Sequence, residues 1–182
     1  MQCFSRAHMV KAATFIMFMI FLSQSVYAQA PLKPAQEAFA KAQTAWEQGE
    51  WDTALSLCDE ALKIDKRSKD VWQLKGQIYW QMKNYKMALR SYQEYLKIDP
   101  KNALIWVNLS ATFFELEQYK SMEESYAKAK EIDPKYPPLY QSMGVNYLKM
   151  GNYEQANKAF GTLEQMGESS IYYLWTKRVL QI

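Results

Sequence analysis

Shifted by 34 residues, this sequence falls into line with itself. AWEQGEWDTALSLCDEALKID aligns with YWQMKNYKMALRSYQEYLKIDP, FFELEQYKSMEESYAKAKEIDP and YLKMGNYEQANKAFGTLEQMG, which divides the chain into units 35–68, 69–102, 103–136 and 137–170. No other feature constrains the fold as strongly. A unit this short cannot bury an apolar face alone, so neighbours must stack and share a continuous core. Apolar spacing within each unit predicts two short amphipathic helices joined by a tight turn, near Gly49, Lys83, Glu117 and Gly151. Asp99 with Pro100, and Asp133 with Pro134, close the two middle units, because a proline there stops the preceding helix.

Large and small residues recur at fixed places in these units. Unit two supplies Trp72, Gly76, Tyr79, Tyr85, Ala88, Tyr92 and Pro100, and unit three supplies Trp106, Leu109, Phe113, Tyr119, Tyr126, Ala129 and Pro134. Unit four has Tyr140, Met143, Gly144, Tyr147, Gly151, Tyr153, Ala156 and Phe160, and unit one keeps Gly49, Trp51, Ala54 and Ala61. On these residues the chain resembles the tetratricopeptide repeat. The resemblance implies an all-α fold, a right-handed α-solenoid of four helix-turn-helix units over 35–170, with 171–182 as a C-terminal capping helix. Gly76 and Gly144 are expected to let two helices approach closely, with Tyr79 or Tyr147 filling the space beside them. Ala38, Ser110, Met122 and Tyr95 depart from the pattern, and the bulk of the last two is expected to widen the helix contacts there.

The resemblance also implies that first helices line a concave face, which the second, fifth, sixth, ninth, twelfth and thirteenth positions of each unit overlook. Trp46, Trp80, Phe114 and Leu148 hold the twelfth position. With Gln73, Gln77, Val107, Asn108, Gln141 and Val145 they form the predicted partner-binding groove, apolar and rich in amides. The opposing expectation is that twelfth-position side chains only pack between neighbouring first helices. Repeats that clamp the acidic C-terminus of cytosolic chaperones use Lys and Asn at fixed groove positions. Here Phe39, Gln43 and Leu74 stand at such places and Asn108 matches alone, so that specificity is not expected.

After the last unit, SSIYYLWTKRVLQI predicts a helix with Ser169 or Ser170 as its N-cap. Little of it is polar, although repeat arrays normally finish on a polar outer face. One side of this helix can seal unit four. Alternatively Tyr172, Trp175 and Val179 dock a partner or a second copy, giving a homodimer.

The first residues read differently. MQCFSRAHMVK carries Arg6 and Lys11, AATFIMFMIFL is apolar, and SQSVYAQA follows, the layout of a secretory signal peptide over 1–28 with cleavage after Ala28 and a short segment 29–34 leading into the repeats. The apolar run, Ala12 to Leu22, is shorter than the roughly 20 residues a spanning helix needs, so no membrane span is expected after cleavage. Cleavage takes Arg6 and Lys11 away and lowers the formal charge from +3 to +1. So nearly neutral a chain has no electrostatic footprint for nucleic acid.

Cleavage also removes the single histidine, His8, and one of two cysteines, Cys3. Imidazole acid-base work, His-based triads and metal clusters go with it, and no cofactor is expected. Cys58, at a position where the repeat expects a buried Phe, is expected to be a small core hydrophobe. Pairs such as Asp59 with Glu60 and Glu123 with Glu124 share helices with lysines and are expected to be solvated faces. The sequence therefore predicts a protein that is not an enzyme. The expectation is a periplasmic or secreted bacterial scaffold that holds a segment of a protein or peptide partner, an envelope or secretion-system component, in its groove. The alternative is a module that self-associates through its apolar last helix.

Overall fold

Four residues with positive φ punctuate the chain at the predicted turns: Gly49 (78°), Lys83 (58°), Glu117 (58°) and Gly151 (73°). Each follows a first helix, and each is held by the same pair of backbone bonds. Lys83 N–H donates to the Trp80 carbonyl at 2.9 Å and Asn84 N–H to the Tyr79 carbonyl at 2.8 Å; Glu117 and Gln118 do the same toward Phe114 and Phe113. This six-to-one closure with a left-handed residue satisfies carbonyls that a helix end leaves open, and it reverses the chain within three residues.

The computed structural model describes residues 33–168 and 171–180. The expected leader, residues 29–32 and the serine N-cap lie outside them. Nine described helices follow in order: α1 (Pro34–Glu47), α2 (Trp51–Ile64), α3 (Lys69–Gln81), α4 (Tyr85–Ile98), α5 (Ala103–Glu115), α6 (Tyr119–Ile132), α7 (Pro137–Lys149), α8 (Tyr153–Gln165) and α9 (Ile171–Leu180). They belong to one unit that begins at Pro34, and helices α1 to α8 pair as antiparallel neighbours within each repeat. The fold is an all-helical solenoid.

Between repeats, a latch recurs with the same spacing. Asp65, Asp99 and Asp133 end the second helices. The aromatic at the fourth position of the next repeat then reaches back six residues to a loop carbonyl: Trp72 Nε1 to Lys66 O (3.1 Å), Trp106 Nε1 to Pro100 O (2.9 Å) and Tyr140 Oη to Pro134 O (2.7 Å). An aromatic with a donor at its rim can pack on the core and tie down the loop at once.

Packing inside each repeat corrects one expectation. The ring lying on Gly76 is that of Tyr92 from the second helix, and Phe160 lies on Gly144, so closely that an added β-carbon would overlap either ring. Tyr79 is only half-buried, while its neighbour Ile78 is fully buried. Volumes are balanced across the pair of positions: Gly76 and Gly144 face large rings, Ala42 shares its cluster with the small Cys58, and Ser110 accompanies Tyr126. The continuous core takes the form of three clusters, joined by half-buried Trp72 on one side of α4 and by Trp106 and Phe113 on the other.

At the C-terminal end α9 packs on α8, with fully buried Thr176 donating to Asn157 Oδ1 at 3.0 Å. Leu174 is 69% exposed and Val179 41% exposed. The side chains of Tyr172 and Trp175 lie outside the described ones.

A candidate protein-binding groove

First helices present one face away from their own second helices, and on that face the structure holds a cavity of about 470 Å³. Its walls come from α1, α3, α5 and α7, with Tyr92 of α4. Trp46, Gln77, Trp80, Val107, Asn108, Gln141 and Val145, seven of the ten predicted groove residues, border it. Gln73 borders a smaller adjoining hollow of about 220 Å³, which shares Trp46 and Gln77 with the larger one. Phe114 and Leu148 border neither and pack against the cluster of the last two repeats.

Twelfth-position side chains therefore divide by place in the stack. Trp80 is half-buried against the middle cluster and meets Tyr85 edge-on, centroids 6.1 Å apart and planes at 66°; Phe114 meets Tyr119 at the same distance. These pairs put part of each ring into packing within its own repeat. Phe114 is further covered by the Lys149 ammonium, 5.2 Å from its centroid.

Spacing between repeats decides what remains open. Helix α5 packs on α7, whereas α3 and α5 make no more than marginal contact and α4 packs on α5 instead. The first helices of repeats two and three thus stand apart, with the cavity against them.

Polar groups give the cavity its character. Gln77, Gln81, Asn108 and Gln141 make no side-chain hydrogen bond to another described residue. Buried Asn146 donates to Tyr126 Oη at 2.7 Å, which lies 3.4 Å from Ser142 Oγ. The indole Nε1 groups of Trp46 and Trp80 are buried with no acceptor among the described residues. Only Glu115 and Lys149 of the lining carry charge, and they face each other at 3.4 Å. Glu115 also reaches Tyr85, whose hydroxyl it helps hold above the ordinary phenol range after burial has acted.

Sequence reasoning left Gln81, Glu115 and Lys149 unnamed. All three sit at the thirteenth position of their repeats, and carrying that position through as the twelfth was carried through finds them. Tyr92 and Asn146 carry no such signal, because they come from positions whose neighbours are usually core. Nearby, Tyr147 donates to both Glu123 oxygens at 2.7 and 2.8 Å, tying α7 to α6, and burial followed by that carboxylate pushes its hydroxyl pKa well up.

Among the described residues no cluster of His, Cys, Asp and Glu could hold a metal ion, and no helix is long and apolar enough to cross a membrane. Burial pushes the Cys58 thiol up to about 12, so at neutral pH the sulfur is a protonated core atom.

Two family models, each described as tetratricopeptide repeat, match residues 45–106 and 103–136. Among solved structures the chain is similar to pilF of Pseudomonas aeruginosa, with 19% identity, a TM-score of 0.69, and 81% of this chain and 69% of that one covered. It is also similar to MamA 41-end from Desulfovibrio magneticus RS-1, with 20% identity, a TM-score of 0.66, and 75% and 78% covered. The third is a thermophilic TPR protein of Thermus thermophilus, TTC0263, with 19% identity, a TM-score of 0.60, and 70% and 72% covered. At such identities the likeness shows the fold alone. No curated protein matches.

Proposed function

This chain is a tetratricopeptide-repeat protein, its repeats matched over residues 45–136, and from that premise we propose that it is a non-catalytic adaptor of the bacterial periplasm or cell envelope. It holds a segment of a protein partner, an envelope or secretion-system component, against the face made by α1, α3, α5 and α7. The observation that carries this reading is the cavity itself: seven residues selected by repeat position alone converge on one apolar, amide-rich hollow. Its volume falls within the roughly 300–1,000 Å³ usual for binding pockets. The envelope location rests on the layout of residues 1–28.

Photo-crosslinking in the native cell tests the groove. A crosslinkable residue at Gln77 or Gln141 captures a discrete protein partner, and the same residue at Lys101, outside the groove, does not. Equal capture from all three positions, or none from the first two, removes the groove from consideration. Location has a separate measurement: the purified envelope form begins at Gln29, and an intact leader on that form contradicts the proposal.

A second reading is favoured by one observation, the exposure of Leu174 and Val179 on the last helix. Here α9 docks on a second copy and the protein is a self-assembling module. Light scattering over a hundredfold range of concentration separates the two, since a monomer at every concentration eliminates self-assembly.

A further inference from the structure

We infer that the segment held in the groove is extended and uncharged, and that it is recognised largely through its main-chain amides. This deepens the groove reading and rests on it. Three observations lead there, the first being electrostatic. Glu115 and Lys149, the only charged residues of the lining, already face each other at 3.4 Å, with Tyr85 beside the carboxylate and the Phe114 ring 5.2 Å from the ammonium. A charged side chain entering this hollow would give up part of its water and meet two charges already paired with each other, which disfavours it relative to an uncharged one.

The second observation is the amides. Gln77, Gln81, Asn108 and Gln141, spread over three successive first helices, each offer a donor and an acceptor not engaged by other described residues. A peptide group offers the complementary pair. An α-helical segment has consumed its main-chain groups internally, so only an extended one can answer a row of amides.

The third concerns Trp46 and Trp80. Both border the hollow, both hold the twelfth position, and both carry a buried N–H with no acceptor in the described structure. Buried donors are ordinarily satisfied, and two unsatisfied at equivalent positions on one cavity point to acceptors that arrive with the occupant. Neither N–H is open to the hollow in the free chain, so each indole must turn in its packing before a carbonyl of the bound segment can reach it.

A random dodecapeptide library selected on the full chain tests this. Enriched peptides are expected to be poor in Asp, Glu, Lys and Arg, to lack the three-and-four spacing of an amphipathic helix, and to bind with less than a twofold change between 50 and 500 mM NaCl. Gln77→Ala with Gln141→Ala weakens them at least tenfold. Trp80→Phe removes the N–H together with part of the indole, so it weakens binding about fivefold while the free chain keeps its helical content. Charged peptides, a tenfold fall in affinity with salt, or helical spacing, if abolished by the glutamine variants, overturn the inference and leave the groove standing. Peptides indifferent to the glutamine variants, a groove filled by a second copy, or no enrichment at all overturn the groove reading itself.

Discussion

Lys83 and Glu117 stand where the other two repeats place glycine, and both take φ of 58°. A side chain in the left-handed region costs on the order of 1 kcal/mol, which glycine avoids. Lys83→Gly and Glu117→Gly are therefore expected to raise stability by about 0.5–1 kcal/mol each, read as a higher urea midpoint at unchanged slope. Gly76 and Gly144 behave oppositely, because the rings of Tyr92 and Phe160 already occupy the space a methyl group would take. Gly76→Ala is expected to lower stability by about 1–3 kcal/mol, with Gly76→Ala plus Tyr92→Phe recovering little, since the clash is with the ring and not its hydroxyl. Trp80, neighbour to Tyr79 on a helix where one face cannot bury both, divides its surface between Tyr85 and the cavity.

Among the elements, the loops between repeats are each tied down by an aromatic of the following first helix, beside Asp and Asn side chains of the loop itself. Replacing Trp72 by Phe swaps the indole for a smaller ring and removes the bond to the Lys66 carbonyl, and Tyr140→Phe keeps the ring and removes the bond to Pro134. Each change is expected to cost about 1 kcal/mol. Hydrogen exchange localises the effect: amides at the start of α3 or α7 lose protection, while those of α5 do not. Uniform loss across all helices would mean the latch is not local. Lys75 makes a second tie at the first junction. Buried against Trp72 and Tyr79, it reaches Asp59 of α2 at 2.5 Å, so Lys75→Met breaks a part-buried pair and leaves the carboxylate in place.

For the molecule as a whole, alkali is the predicted weakness. Cys58 titrates at about 12 folded against an ordinary value of about 8.5, and burial holds Tyr92, Tyr126 and Tyr147 above the phenol range. Above pH about 8.5 the folded chain retains protons the unfolded chain has released, so stability is complete below that pH and falls as pH rises toward 12. From Cys58 alone the loss by pH 10.5 is on the order of 3 kcal/mol. Urea midpoints from pH 7 to 10.5 measure it, and Cys58→Ala flattens the part of the decline below pH 10. A midpoint independent of pH over that range contradicts the burial of these groups.

What the sequence determined by itself is the part set by neighbours along the chain. Two helices per unit, tight turns near Gly49, Lys83, Glu117 and Gly151, and the punctuation at Asp99 and Asp133 all follow from capping and periodicity, forces that act within a few residues and repeat every 34. Only the tertiary structure decided what the repeat cannot encode, the differences between equivalent positions. All four twelfth-position side chains pack against a core cluster, but only Trp46 and Trp80 also border the cavity, although all four hold one place in the pattern. The reason is the spacing between neighbouring repeats: α5 closes on α7 but stands off from α3, and that spacing comes from side chains summed across whole interfaces. A period read along one chain fixes which residues are equivalent, and packing between helices then fixes which of them are left uncovered.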